Sequence, residues 1–178
     1  MLVAELSRQA TLAASPSDDR RRKVSSGTVI DRSHSHPHVN LSLTDQPTDD
    51  FRTEILAPLK AYNESRAGPS NNRPLAILMK DESDKIVGGL WGHTGYGWLF
   101  TQLLAVPENL RGAGWGNRIM DLAETEAIAR GCRRAWLDTF EFQARGFYER
   151  RGYRCFGELP DYPEGFRRFF LQKVLVSG

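Results

Sequence analysis

The sequence predicts an α/β fold, a single mixed and mostly antiparallel sheet with helices on both faces, and three observations predict it. Apolar strand-like runs at 74–80, 85–93 and 98–106 follow one another with turn residues between them, which reads as a β-meander. The last run passes through a glycine-rich turn, Arg111-Gly112-Ala113-Gly114-Trp115-Gly116, into an amphipathic stretch closed by Gly131. A helix from Phe142 and a hairpin from Tyr153 then complete the order β α β β β α β α β β. Because a helix joins strand 98–106 to strand 134–138, the usual crossover makes those two strands parallel.

Length and composition bound the answer. A chain of 178 residues is long enough for one well-cored domain with a tail. Apolar residues at 40% and charged residues at 26% place it among soluble globular chains. No apolar run approaches the length of a membrane span, so no membrane partner is expected. Cys132 and Cys155 have neither metal-ligand spacing nor the density of a disulfide scaffold, and a reducing, cytoplasmic setting is the default.

Residues 1–38 form an expected tail, and residues 39–178 the domain. The tail holds six of the 24 Lys/Arg and four of the 22 Asp/Glu, so the remainder carries 18 of each. The excess of two positive charges therefore belongs to the tail. A balanced domain lacks the basic face of a nucleic-acid binder, so no nucleic acid is expected as a partner. Arg20-Arg21-Arg22-Lys23 reads as a solvated run rather than an address. His34, His36 and His38 would share one side of a strand, but no acidic or thiol ligand accompanies them, so no metal is expected.

The domain begins with Val39-Asn40-Leu41-Ser42-Leu43, whose alternation predicts a half-buried strand. Thr48-Asp49-Asp50 starts a helix on which Phe51, Ile55, Leu59 and Tyr62 fall at helical spacing, and Pro58 predicts a kink or break. Residues 63–72, with Gly68-Pro69, read as a loop. The three meander runs read as central strands covered on both faces. Gly88 and Gly89, in mid-strand, point to a bulge or a close neighbour. On the helix after the glycine turn, Trp115, Ile119, Leu122, Ala123 and Ala127 form the expected apolar stripe, with Asp121, Glu124 and Arg130 turned away. A helix over 142–151 ends at Gly152, and strands 153–159 and 167–175 close the sheet around 160–166.

The glycine turn carries the chemistry. Without Cβ atoms its backbone can curl and approach a bound group, and the first amides of the helix lack intrahelical partners and sit at the positive end of the macrodipole. Such a turn suits an anion, phosphate above all, and Arg111 can add charge-assisted hydrogen bonds. A tight structural connection is the competing reading. The P-loop pattern is absent, since Gly116-Asn117-Arg118 stands where Gly-Lys-Ser/Thr would be needed, and the glycines alternate where a dinucleotide fingerprint would space them wider.

Arg111-x-x-Gly114-x-Gly116, placed after Val106-Pro107 at a strand end, resembles the acetyl-CoA-binding signature of the GNAT superfamily of N-acetyltransferases. Ala144-Arg145-Gly146-Phe147-Tyr148-Glu149-Arg150-Arg151-Gly152-Tyr153 resembles a second segment of that family, and the element order is similar to its fold, in which the two parallel strands splay apart. The resemblance implies that Arg111 and the amides of Gly112, Ala113, Gly114, Trp115, Gly116 and Asn117 hold the pyrophosphate of acetyl-CoA. It implies that the backbone of Leu104, Ala105 and Val106 holds the pantetheine and thioester. Tyr148 would then protonate the leaving thiolate; its competing reading is a core aromatic.

Two positions depart from the family. Glu141 stands where many members have a cofactor-binding Asn, and Gln143 is the neighbouring amide that could serve instead. Thr101-Gln102 stands where many carry a carboxylate base; Asp138, Glu141, His93 or water are the replacements, none singled out by spacing. Residues 63–72 fall where this family commonly borders its acceptor. Tyr62, Trp91, Trp98 and Phe140 are either acceptor-pocket aromatics or core. The expectation is an acetyl-CoA-dependent N-acetyltransferase for a small-molecule amine, with a homodimer as an allowed assembly. Its rivals are transfer to a protein lysine or N-terminus and a non-catalytic acyl-CoA-binding module.

Overall fold

A computed structural model describes residues 39–176. The tail expectations, including the alternating histidines, lie outside the described residues. By contact the chain divides into two units, one ending at Ala57 and the other starting at Pro58.

In the first unit, residues 39–43 do not form the expected strand: Val39, Leu41 and Leu43 are exposed, and the segment enters no β-ladder. Alternation makes a strand only where a neighbour supplies hydrogen bonds. Helix α1, Asp49–Ala67, continues through Pro58 instead of breaking there, and it consumes half of the expected loop, leaving only 68–72. A proline in mid-helix removes one N–H bond, while the turns on either side keep theirs. No residue of α1 is buried.

The second unit holds one six-stranded sheet. Its strands are β1 (Arg73–Lys80), β2 (Ile86–Gly95), β3 (Trp98–Ala105), β4 (Arg134–Phe140), β5 (Arg154–Leu159) and β6 (Arg168–Val174), in the order β1-β2-β3-β4-β6-β5. Every neighbouring pair is antiparallel except β3 and β4, which are parallel as the crossover requires. The last strand, β6, inserts between β4 and β5. Strand β1 is an edge and alternates: Leu75 and Met79 are buried while Ala76 and Leu78 face outward, so it is not covered on both faces as expected.

Two irregularities shape the middle of the sheet. Trp91 pairs with Leu103 and Gly92 with Thr101, so Gln102 is a bulged residue on β3. Pairing between β3 and β4 covers only Trp98–Thr101 against Arg134–Leu137. Beyond Thr101 the strands part, and the edges of 102–105 and 138–140 that would face each other are left unladdered. Gly88 and Gly89 fit the close-neighbour expectation. A Cβ on Gly88 would stand 2.6 Å from the Ala105 carbonyl oxygen, and one on Gly89 would stand 2.0 Å from that of Ile77.

Helices α2 (Trp115–Ala129) and α3 (Arg145–Arg150) follow β3 and β4. The core joins Leu75, Leu90, Leu99, Leu137, Phe169 and Leu171 of the sheet to Ile119, Met120, Ala123 and Ala127 of α2 and Tyr148 of α3. The stripe on α2 is rotated from the expected one: Met120 and Glu124 are buried, whereas Leu122 is exposed. Glu124 turns inward because three partners meet it there. Tyr153 Oη donates to it at 3.2 Å, Lys173 Nζ at 2.6 Å, and Arg151 Nη2 stands at 3.3 Å. Helix α3 starts three residues later than expected, since Gln143 is occupied in the turn that ends β4.

Candidate active site

The end of β3, a single 3-10 turn at Glu108–Leu110 and the start of α2 form one connection. Gly112 and Gly114 have φ of +79° and +83°, a left-handed backbone that other residues adopt at a cost, and the space around both Cβ positions is open. Gly114 is the N-cap of α2 and provides no side-chain cap. Among the described residues the amides of Gly112, Ala113, Gly114, Trp115, Gly116 and Asn117 have no backbone acceptor; Arg118 is the first that does, donating to the Gly114 carbonyl at 3.2 Å. These donors and the helix dipole are what an anion requires.

Gly116 serves a different purpose. A Cβ there would lie 3.2 Å from the Phe147 ring, so this glycine lets α3 seat against the first turn of α2. Arg111 Nε donates to the Val106 carbonyl at 3.1 Å, which folds the arginine back across the connection. Trp115 is part-exposed, and the Arg118 guanidinium lies 5.0 Å from its ring centroid. Leu104 and Val106 turn their side chains onto the core, whereas Ala105 is exposed.

Tyr148 is buried on α3 with its ring edge-on to Phe147 and Tyr153. Burial, and then the Asp138 carboxylate, push its phenol up to about 12. It therefore stays protonated at neutral pH, the state a general acid needs. Arg151 fastens the end of α3 to α2: Nη1 donates to Asn117 Oδ1 at 3.1 Å, and Nη2 to Asp121 Oδ1 at 2.7 Å.

The replacement bases are differently placed. Asp138 Oδ2 accepts from Arg168 Nε at 2.7 Å and also from Nη2, and Arg168 is itself buried. Glu141 accepts from Arg167 Nη2 at 2.7 Å and from its amide at 3.1 Å, and these bonds, the side-chain one foremost, hold its carboxyl below the usual range. His93, lowered by burial, is neutral at pH 7 and packs edge-on to Phe100. Gln143 Oε1 accepts from the Phe140 amide at 2.9 Å and from Thr139 Oγ1 at 3.1 Å, so its oxygen is engaged in the turn.

The sequence-expected acceptor features are scattered. Residues 68–72 lie beside the β2–β3 turn, where the Tyr96 amide donates to the Ser70 carbonyl at 2.8 Å. They border a cavity of about 630 Å³ that also meets Arg130, Gly131 and Cys132 after the far end of α2. Helix α2 has 15 residues, so that cavity lies roughly 22 Å from the glycine turn. Trp98 sits at the first β3–β4 rung, and Trp91 and Tyr62 are exposed. Phe140 stands at the splayed end of β4, stacked on Phe142 with centroids 5.2 Å apart, and the exposed Trp91 is level with it on β2, opposite Leu103. The loop and these aromatics do not form one pocket. Arg151, Arg168 and the Glu124 cluster gave no local sequence signal, because the side chains that hydrogen-bond or ion-pair with them lie 27 or more residues away.

Comparison with known proteins bears on the family and the fold. Residues 40–153 match the model of the acetyltransferase (GNAT) family. The chain is 39% identical over 135 residues to acetyltransferase Atu2258 of Agrobacterium fabrum, covering 76% of this chain and 98% of that protein. It is 37% identical over 134 residues to blasticidin-S acetyltransferase of Streptomyces morookaense, covering 73% and 95%. A crystal structure of an acetyltransferase from Bacillus cereus matches with a TM-score of 0.65 at 30% identity, covering 75% of this chain and 97% of that one. The family match takes in both the glycine turn and the segment around Tyr148, and the chain belongs to the acetyltransferase (GNAT) family.

Proposed function

We propose that the chain transfers an acetyl group from acetyl-CoA to the amine of a small molecule. The run of unpartnered amides from Gly112 to Asn117, at the end of a strand that parts from its parallel neighbour, carries this reading. It fits a pyrophosphate followed by an extended, amide-bearing chain. Acetyl-CoA supplies the activated thioester. Arg111 and the amides of 112–117 bind the pyrophosphate, and the backbone of Leu104, Ala105 and Val106 pairs with the pantetheine along the unladdered edge. The acceptor nitrogen attacks the carbonyl carbon, the C–S bond breaks, and Tyr148 gives its proton to the departing sulfur. The similarity to blasticidin-S acetyltransferase supports a small-molecule acceptor.

With Asp138 and Glu141 both ion-paired, the amine's proton leaves through water. The same pairing favours a second reading, a non-catalytic acyl-CoA-binding module. Thiol release from acetyl-CoA across a panel of amines, blasticidin S and a lysine peptide included, separates the two. Amine-dependent turnover that falls about 10²- to 10⁴-fold in Tyr148→Phe, with cofactor binding retained by calorimetry, is the expected result. Tight binding with no turnover on any amine selects the binding module.

A further inference from the structure

Thr101 is the last residue of β3 that pairs with β4, opposite Leu137, and it directly precedes the bulged Gln102. Alternation puts it on the same side of the strand as Leu99, the side that carries the core. The residue is 4% exposed, and its Oγ1 is buried without a hydrogen-bond partner among the described residues. Two other buried threonines differ: Thr139 Oγ1 donates to Gln143, and Thr94 Oγ1 accepts from Arg130 at 3.4 Å. The other orphan polar atom, Arg151 Nε, belongs to a guanidinium whose remaining nitrogens are engaged. A buried hydroxyl with no partner is destabilising, and an apolar side chain of similar size avoids that loss. The unmatched hydroxyl thus stands where the parallel strands separate.

We propose that the Thr101 hydroxyl is a catalytic hydrogen-bond donor to the thioester carbonyl oxygen of acetyl-CoA. The inference rests on the donor assigned above and adds a side-chain contact to it. Thr101 neither takes nor gives up a proton. It strengthens its bond as negative charge grows on the oxygen during attack, and keeps it as the carbonyl reforms and the thiolate leaves.

The test is the ¹³C resonance of acetyl-CoA labelled at the thioester carbonyl, bound to wild type, Thr101→Val and Thr101→Ser, with melting temperature and calorimetric binding alongside. A donated bond moves the bound carbonyl downfield in wild type and in Thr101→Ser. Thr101→Val loses that displacement, melts no lower than wild type, binds acetyl-CoA within about threefold, and turns over at least about tenfold more slowly on any amine that wild type uses. Thr101→Ala reads the same resonance if valine disturbs the strand. A wild-type resonance kept in both Thr101→Val and Thr101→Ala with ligand bound overturns the proposal, as does a large drop in melting temperature for both of these variants, which would reveal an internal partner. Wild type that binds no acetyl-CoA overturns the underlying donor assignment instead.

Discussion

Glu124 on α2 is held by two cations from different parts of the chain, and this arrangement makes a quantitative prediction. Lys173 Nζ bonds it at 2.6 Å from β6, and Arg151 Nη2 stands 3.3 Å away while bonding Asp121 at 2.7 Å. The Glu124 and Arg151 side chains are both 11% exposed and that of Lys173 is 22%, so screening is weak. Removing all cationic partners from a buried carboxylate costs about 3–5 kcal/mol, because the charge is left uncompensated. Arg151→Met or Lys173→Met alone leaves one partner behind to compensate the charge, so each should cost only about 1 kcal/mol, the net value of a lost hydrogen bond. The double variant should lose more than the two singles together, with a coupling of about 1–3 kcal/mol. Adding Glu124→Gln to the double variant should recover much of the loss, since the stranded charge is gone. Urea unfolding of the four proteins of the cycle, plus the triple variant, measures this. Additivity within about 0.5 kcal/mol would show that Glu124 is hydrated and that the cluster is a surface pairing.

Three further outcomes follow from the geometry. Tyr148 is pushed up to about 12 by burial, and Tyr153 is raised still further by burial and by Glu124. Both resist ionisation when folded, so their contribution is complete below pH 10 and is lost above it at about 1.4 kcal/mol per pH unit for each, from pH 10 to about 12 for Tyr148; alkaline unfolding should be visibly shallower in Tyr153→Phe. Gly116→Val should raise the acetyl-CoA Kd and lower kcat together by displacing Phe147, and Phe147→Leu should partly restore both in the double variant. With Asp138 and Glu141 both ion-paired, kcat/KM should rise about tenfold per pH unit up to the acceptor's own pKa, and that limb should shift between amines of different pKa; a limb fixed at one pH for every amine points to an enzyme base instead.

The sequence exposed what depends on near neighbours. The parallel pairing of β3 and β4 follows from one helix crossing between two apolar runs, and the unpartnered amides follow from glycines placed at a helix start. The closeness of Gly88 to Ala105 followed from a glycine where a strand prefers a side chain. What stayed hidden depends on distant residues. Period 3.6 put Glu124 outside and Leu122 inside, and the reverse holds because Arg151, Tyr153 and Lys173 bring charge to that side of α2. The alternation of 39–43 named a strand without naming a partner. Thr101 looked like a mere departure from a carboxylate, since an orphaned hydroxyl is visible only when its surroundings are.

The glycine turn joins the two sequence motifs in space. Its three glycines read alike, but Gly112 and Gly114 bend the backbone into open space, whereas Gly116 yields room to Phe147. The residue after Phe147 is Tyr148, and Arg151, three positions on, bonds the Asn117 side chain next to Gly116. The turn proposed to hold the pyrophosphate therefore also fixes the short helix bearing Tyr148, the proposed acid, from Gly116 on one flank and Asn117 on the other. Helix α3, with only six residues, cannot hold itself in place by its own hydrogen bonds. Its position is set by the first turn of α2, so on the proposed function any change that tightens or loosens that turn should move acetyl-CoA affinity and the placement of Tyr148 together.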